Sequence, residues 1–164
     1  MLNQTVESSC TPTPSKVTDT RPELNFFRSL NGTLEIELTV PAKLSARTHN
    51  RRASPEAQIS NLRLDAAVFN PKSHEFRDMT PEELDSVAFY GNRIKLRGLS
   101  GDVVSHDAPN GAFFTVRELL HAVEETERQT RDQSKWLGGV DVQHCFFEGI
   151  YLAPDGVWDI VWGS

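Results

Sequence analysis

The chain has 164 residues, 38% of them apolar and 24% charged, with a formal net charge of −6. That length suffices for one domain with its own core. The acidic balance argues against non-specific nucleic-acid or anionic-membrane binding, since phosphate contacts need clustered Lys and Arg.

Two cysteines, Cys10 and Cys145, are too few for a disulfide scaffold and suit a reducing compartment. The first ten residues lack a basic start and an apolar run, so no signal peptide is expected. No stretch is long and apolar enough for a membrane span. A cytoplasmic location is the resulting expectation. The Asn3–Thr5 and Asn31–Thr33 sequons then read as chance matches.

Residues 1–22 are rich in Ser, Thr and Pro and lack periodicity, which predicts a disordered tail. Residues 23–164 are expected to form a single domain. Leu34, Ile36, Leu38 and Val40 alternate with polar residues, a half-buried strand preceded by an Asn31-Gly32 turn signal and ended by Pro41. A polar, basic surface loop spans 42–58. Arg51 to Ser54 resembles a basophilic kinase site, a pattern too short to weigh against plain loop. Leu62, Leu64, Ala66 and Val68 form the next alternating run, broken at Asn70-Pro71.

Thr80, Pro81 and Glu83 make a capping box with Pro at the first helical position, predicting a helix of one or two turns before Gly91. Arg93, Lys95 and Arg97 alternate with Ile94 and Leu96, a strand with a basic outer row: a solvated face, or alternatively an anion-binding edge. Gly98 to Gly111 reads as a loop, with His106-Asp107 in a turn.

The strongest local signal follows. Thr115 and Glu118 have capping-box spacing, and Phe114 with Leu119 forms a hydrophobic staple. Val116, Leu119, Leu120 and Val123 make one apolar stripe at helical spacing. The same angular positions are then filled by Thr126, Glu127 and Thr130. The first half of the helix is therefore expected to pack. The second half is expected to project into water or against a polar partner, held helical by Glu124–Arg128 and Glu127–Arg131 pairs.

After Gly138-Gly139, Val140, Val142, His144, Phe146, Ile150 and Leu152 share one strand parity, and Trp158, Ile160 and Trp162 share one in the return strand. Pro154-Asp155-Gly156 suits a three-residue hairpin loop. That loop places Leu152 opposite Trp158 and Ile150 opposite Ile160.

Thr115, Val116, Glu118, Leu119 and Leu120, then Val140 and Asp141, then Phe147, Gly149 and Ile150, together resemble an uncharacterised domain-of-unknown-function family abundant in mushroom-forming fungi. The likeness covers roughly residues 30–164 and rests on structural motifs. Many members have a longer helical insertion than this chain shows. The resemblance implies no known activity, so it assigns no catalytic residues.

Among residues able to carry chemistry, His144 sits mid-row in the expected hairpin and reads first as a partnered core histidine. Glu148 shares its parity, but four residues along a strand is roughly 13 Å, beyond direct contact. A bulge near Gly149 would also turn Glu148 outward. Facing a common cavity, His144 and Glu148 would be the acid/base candidates. Cys145 points to the other row and reads as an inert thiol. Glu118, His121 and Glu125 share one helix face that reads as solvated, with no metal expected. There is no phosphate loop, nucleophile elbow or dinucleotide fingerprint, and no cofactor is expected. Trp158 and Trp162 are expected in the core. Trp136, before two glycines, is expected to be exposed and a contact anchor.

The resulting expectation is an α+β domain: an antiparallel sheet of about five strands with one main helix packed on one face. The functional expectation is a non-catalytic protein-interaction module, self-associating or binding a protein partner through Thr126, Thr130 and Trp136. The alternative is a small enzyme or ligand-binding protein with a helix–sheet pocket using His144 and Glu148.

Overall fold

The structure is a computed structural model that describes residues 21–39, 57–133 and 139–164. Trp136, Cys10, Asn3 to Thr5 and Arg51 to Ser54 lie outside those residues. The described chain is α+β, and its main sheet is larger than the five strands expected. Among the described residues seven strands form the main sheet, and two more form a separate small sheet. No described helix is long and apolar enough to cross a membrane.

In chain order, α1 (Leu24–Arg28) leads into β1 (Leu30–Thr39), which pairs antiparallel with β2 (Gln58–Asn70). Asn31-Gly32 lies inside β1 rather than in a turn, because Gly32 is needed where the strand passes close to β2. A Cβ there would meet Leu64 Cδ1 at 3.0 Å and Asp65 O at 3.2 Å. A short β3 (Glu75–Arg77) pairs with the end of β2. Helix α2 (Pro81–Asp85) has the expected length and the expected box: Thr80 Oγ1 accepts from Glu83 N, and Glu83 Oε2 accepts from Thr80 N. Arg77 grips the same carboxylate at 2.7 Å. That contact and the Thr80 amide bring Glu83 down to about 2.

Strands β4 (Val87–Tyr90) and β7 (Phe113–Thr115) build the small sheet that delivers the chain to α3 (Val116–Thr130). Between them, β5 (Arg93–Arg97) forms a hairpin with β6 (Val103–Asp107). The stretch around His106 is thus a strand and not the expected turn. Its polar residues hid the alternation that sets Val104 and His106 inward, opposite Leu96 and Ile94. The C-terminal hairpin, β8 (Phe146–Leu152) and β9 (Trp158–Gly163), has the expected register, Leu152↔Trp158 and Ile150↔Ile160. Its loop closes as expected, with Ala153 N donating to Val157 O at 2.8 Å.

The row assignment upstream is corrected. A bulge between Phe147 and Gly149 shifts the register by one, and Gly149 has φ +116°, a conformation that favours Gly. Phe147, not Phe146, therefore faces the core. Phe147 is 3% exposed and stacks edge-on against Phe27 and Trp162, whereas Phe146 is 51% exposed. Val140, Val142 and His144 precede the strand and are not part of it.

Two joins hold the hairpins in one sheet: β1 with β8, and β9 with β5, the latter parallel. Helix α3 lies over one face, touching β2, β5 and β6 and the small sheet. Val116, Leu119 and Val123 are fully buried there among Leu62, Leu96, Ile150 and Trp158. Each such side chain contributes roughly 1.5–3 kcal/mol by leaving water. The helix also closes a sheet edge. Beyond its pairing with β3, the outer edge of β2 has no strand partner among the described residues, and there Leu64 N donates to Glu124 Oε2 (3.1 Å) and Arg128 Nη2 donates to Leu62 O (2.9 Å). A carboxylate and a guanidinium thus stand where a neighbouring strand would, which blunts an edge otherwise open to aggregation.

Candidate binding sites

The expectation of a projecting half-helix is overturned. Thr126 and Glu127 are fully buried, and Thr130 is 3% exposed. They cannot form the contact surface expected of Thr126 and Thr130. Both threonines turn their hydroxyls back onto the helix, Thr126 to Ala122 O and Thr130 to Thr126 O, each at 2.8 Å. The stripe continues through the second half as polar core. Glu127 Oε1 accepts from Leu99 N (3.1 Å) and Trp162 Nε1 (2.9 Å), while Oε2 accepts from Arg131 Nε (2.6 Å). Gly98 permits this approach: a Cβ there would lie 2.5 Å from Thr130 Oγ1.

Arg131 is itself fully buried. Its guanidinium lies 5.1 Å from the Trp162 ring centroid, and Nη1 donates to Asp141 O and His144 O, each at 2.9 Å. Nη2 has no partner among the described residues. The ion pair therefore ties the end of α3 to β9 and to the segment entering β8.

His144 lies in that entering segment, and its partner is Asp141 rather than Glu148. Asp141 Oδ2 meets His144 Nδ1 at 2.6 Å, and Oδ1 accepts from Gln143 N (2.8 Å) and His144 N (3.1 Å). Burial pushes the Asp141 carboxyl up, but the two amides and the imidazole outweigh it and hold it below the ordinary carboxylate range. Glu148 is exposed at the bulge and shares no described cavity with His144. The acid/base pair expected of these two residues is not assembled. Cys145 is a half-buried free thiol.

This local network makes a pH prediction. Because the folded carboxyl titrates below its unfolded value, its stabilisation is present above about pH 4 and fades as pH falls through the folded value. Asp141→Ala is expected to lose about 1.5–3 kcal/mol at neutral pH, and the gap to the unmodified chain should narrow in acid. Urea unfolding at several pH values checks this; a gap that stays constant from neutral to acid pH would refute it.

On the helix face of Glu118, His121 and Glu125, expected to be solvated, both carboxylates have partners within the chain. Glu118 Oε2 accepts from Thr115 N (2.8 Å), and Glu125 pairs with Arg128 and Gln129. No group of three His, Cys, Asp or Glu among the described residues could hold a metal ion. In the basic row of β5 the two arginines are paired, Arg93 to Asp107 at 2.6 Å and Arg97 to both Asp159 (2.7 Å) and Asp155. That leaves little positive field for an anion.

Among the described residues no helix covers the sheet face away from α3, which sequence reading did not single out. Its outward residues include Phe69 (38% exposed), Phe76 (62%) and Phe146. Phe69 and Phe76 pack at 5.1 Å, and a groove of about 480 Å³ runs between Phe76 and Phe146 over Thr33, Asp65 and Ala67, with Glu148 at its rim. The signal available was Phe69, which falls out of parity with Val68 yet lies in a strand.

No family model, curated protein or solved structure matches this chain.

Proposed function

We propose that the protein is a non-catalytic interaction module that docks a partner on the open face of its sheet. One observation carries this reading: large aromatic side chains line a groove on a face that no described helix covers. Exposed apolar patches rimmed by polar groups mark association sites on otherwise well-packed domains.

The occupant we favour is a peptide segment with an apolar side chain beside lysine or arginine. Asp65 and Glu148 line the groove and Glu35 lies on the same face, with Arg63 among the described residues 3.8 Å from Asp65. The chain as a whole carries −6. A second copy would set acidic groove against acidic groove. The residues of the fungal-family resemblance serve the fold instead: Thr115 and Glu118 cap α3, Asp141 holds the β8 approach, and Gly149 makes the bulge.

Phage-displayed random peptides panned on the protein, and on its Phe76→Ser/Phe146→Ser variant, test this. Peptides pairing apolar with basic residues should be enriched on the unmodified chain and bind the variant at least about tenfold more weakly. Equal enrichment on both proteins, or none, overturns the proposal. So does a concentration-dependent dimer in sedimentation equilibrium that the double variant abolishes, which would make the occupant a second copy.

A further inference from the structure

On the opposite side of the sheet, beside the first turns of α3, lies a cavity of about 390 Å³ lined by His106, Pro109, Phe114, Glu118, His121 and Ala122. The volume is that of a small-molecule pocket. Its apolar wall is rigid, since Phe114 and Ala122 belong to the buried core.

The chemistry of the polar wall follows from its hydrogen bonds. Thr126 Oγ1 lies 2.8 Å from both Ala122 O and His106 Nε2; with its proton on Ala122 O, it accepts from His106 Nε2. In that arrangement His106 carries its proton on Nε2 and Nδ1 is a lone pair. Burial holds this imidazole below its ordinary range, with His121 adding to the effect and Glu125 and Asp107 opposing it, so the ring is neutral at neutral pH. The charged groups around the cavity already have partners. Arg117 binds Asp85 at 3.0 Å, Asp107 binds Arg93, and Glu118 Oε2 holds the Thr115 amide. The wall therefore sets the His106 and His121 imidazoles beside the apolar atoms of Pro109, Phe114 and Ala122.

We infer that this cavity binds a small aromatic molecule bearing one hydroxyl, a phenol, with its ring against Phe114 and Pro109 and its O–H donating to His106 Nδ1. The site lies across the sheet from the peptide groove and does not depend on it.

Two probes differing only in the donor test the assignment: 2-naphthol and 2-methoxynaphthalene, titrated into the labelled protein at about pH 7.5, where a phenol keeps its proton. Saturable amide shifts are expected at Ala108, Phe114 and Ala122 with 2-naphthol, and binding of the methyl ether should be about tenfold weaker. His106→Leu should erase the difference between the probes, while Glu148→Ala on the far face should leave it unchanged. The comparison on the unmodified chain stands even if His106→Leu fails to fold. Absence of saturable shifts, equal affinity for both probes, or shifts confined to the groove around Phe76 overturns the inference.

Discussion

Arg131→Met is expected to destabilise the protein by about 3–5 kcal/mol, because it strands the fully buried Glu127 carboxylate without its counter-charge. For a domain of this size that lowers the midpoint of thermal unfolding by roughly 10 °C. The loss has two parts. One is the uncompensated charge. The other is the pair of carbonyls, Asp141 O and His144 O, that lose their donor. Adding Glu127→Leu to Arg131→Met should recover part of the loss, since removing both charges is milder than removing one. Recovery should stay incomplete, because Leu99 N–H and Trp162 Nε1–H then lack their acceptor at about 1–3 kcal/mol each. Urea unfolding of the two single variants and the double variant gives the coupling directly. A loss below about 1 kcal/mol for Arg131→Met would show that the pair is wet in solution.

The second large effect separates two neighbouring phenylalanines. Phe147→Ala should cost about 3–5 kcal/mol, as for a large aromatic removed from a packed core. Phe146→Ala should stay within about 0.5 kcal/mol. Simple parity through β8 predicts the reverse, because it sets Phe146 in one row with Ile150. The bulge at Gly149 decides between them. Equilibrium unfolding of both variants reads out the register of the strand. Comparable losses at the two positions would mean that the bulge does not form as described. Phe146→Ala is also expected to weaken peptide binding at the open face while leaving stability intact, which separates the two roles of adjacent residues.

Elements whose signals are local were legible in the chain itself. The boxes at Thr80 and Thr115 need only residues three apart, and both formed. The strand of Arg93–Arg97 and the loop at Pro154 to Gly156 depend on alternation and on turn chemistry within a few residues. The inward row of Trp158, Ile160 and Trp162 followed from the same alternation. By contrast, β6 was hidden because Ser105, His106 and Asp107 are polar, and only pairing with β5 makes that stretch a strand.

The sequence alone determined the start of α3, the apolar half of that helix and the turn end of the terminal hairpin, since each is specified by neighbours a few bonds away. Tertiary structure decided the rest. Thr126, Glu127 and Arg131 have the spacing of an ordinary solvated helix face, and became core only because Trp162, Leu99 and the Asp141 segment arrive from distant parts of the chain to satisfy them. Whether a polar side chain is inside or outside depends on where its hydrogen-bond partners lie, and those partners are separated here by up to 35 positions along the chain.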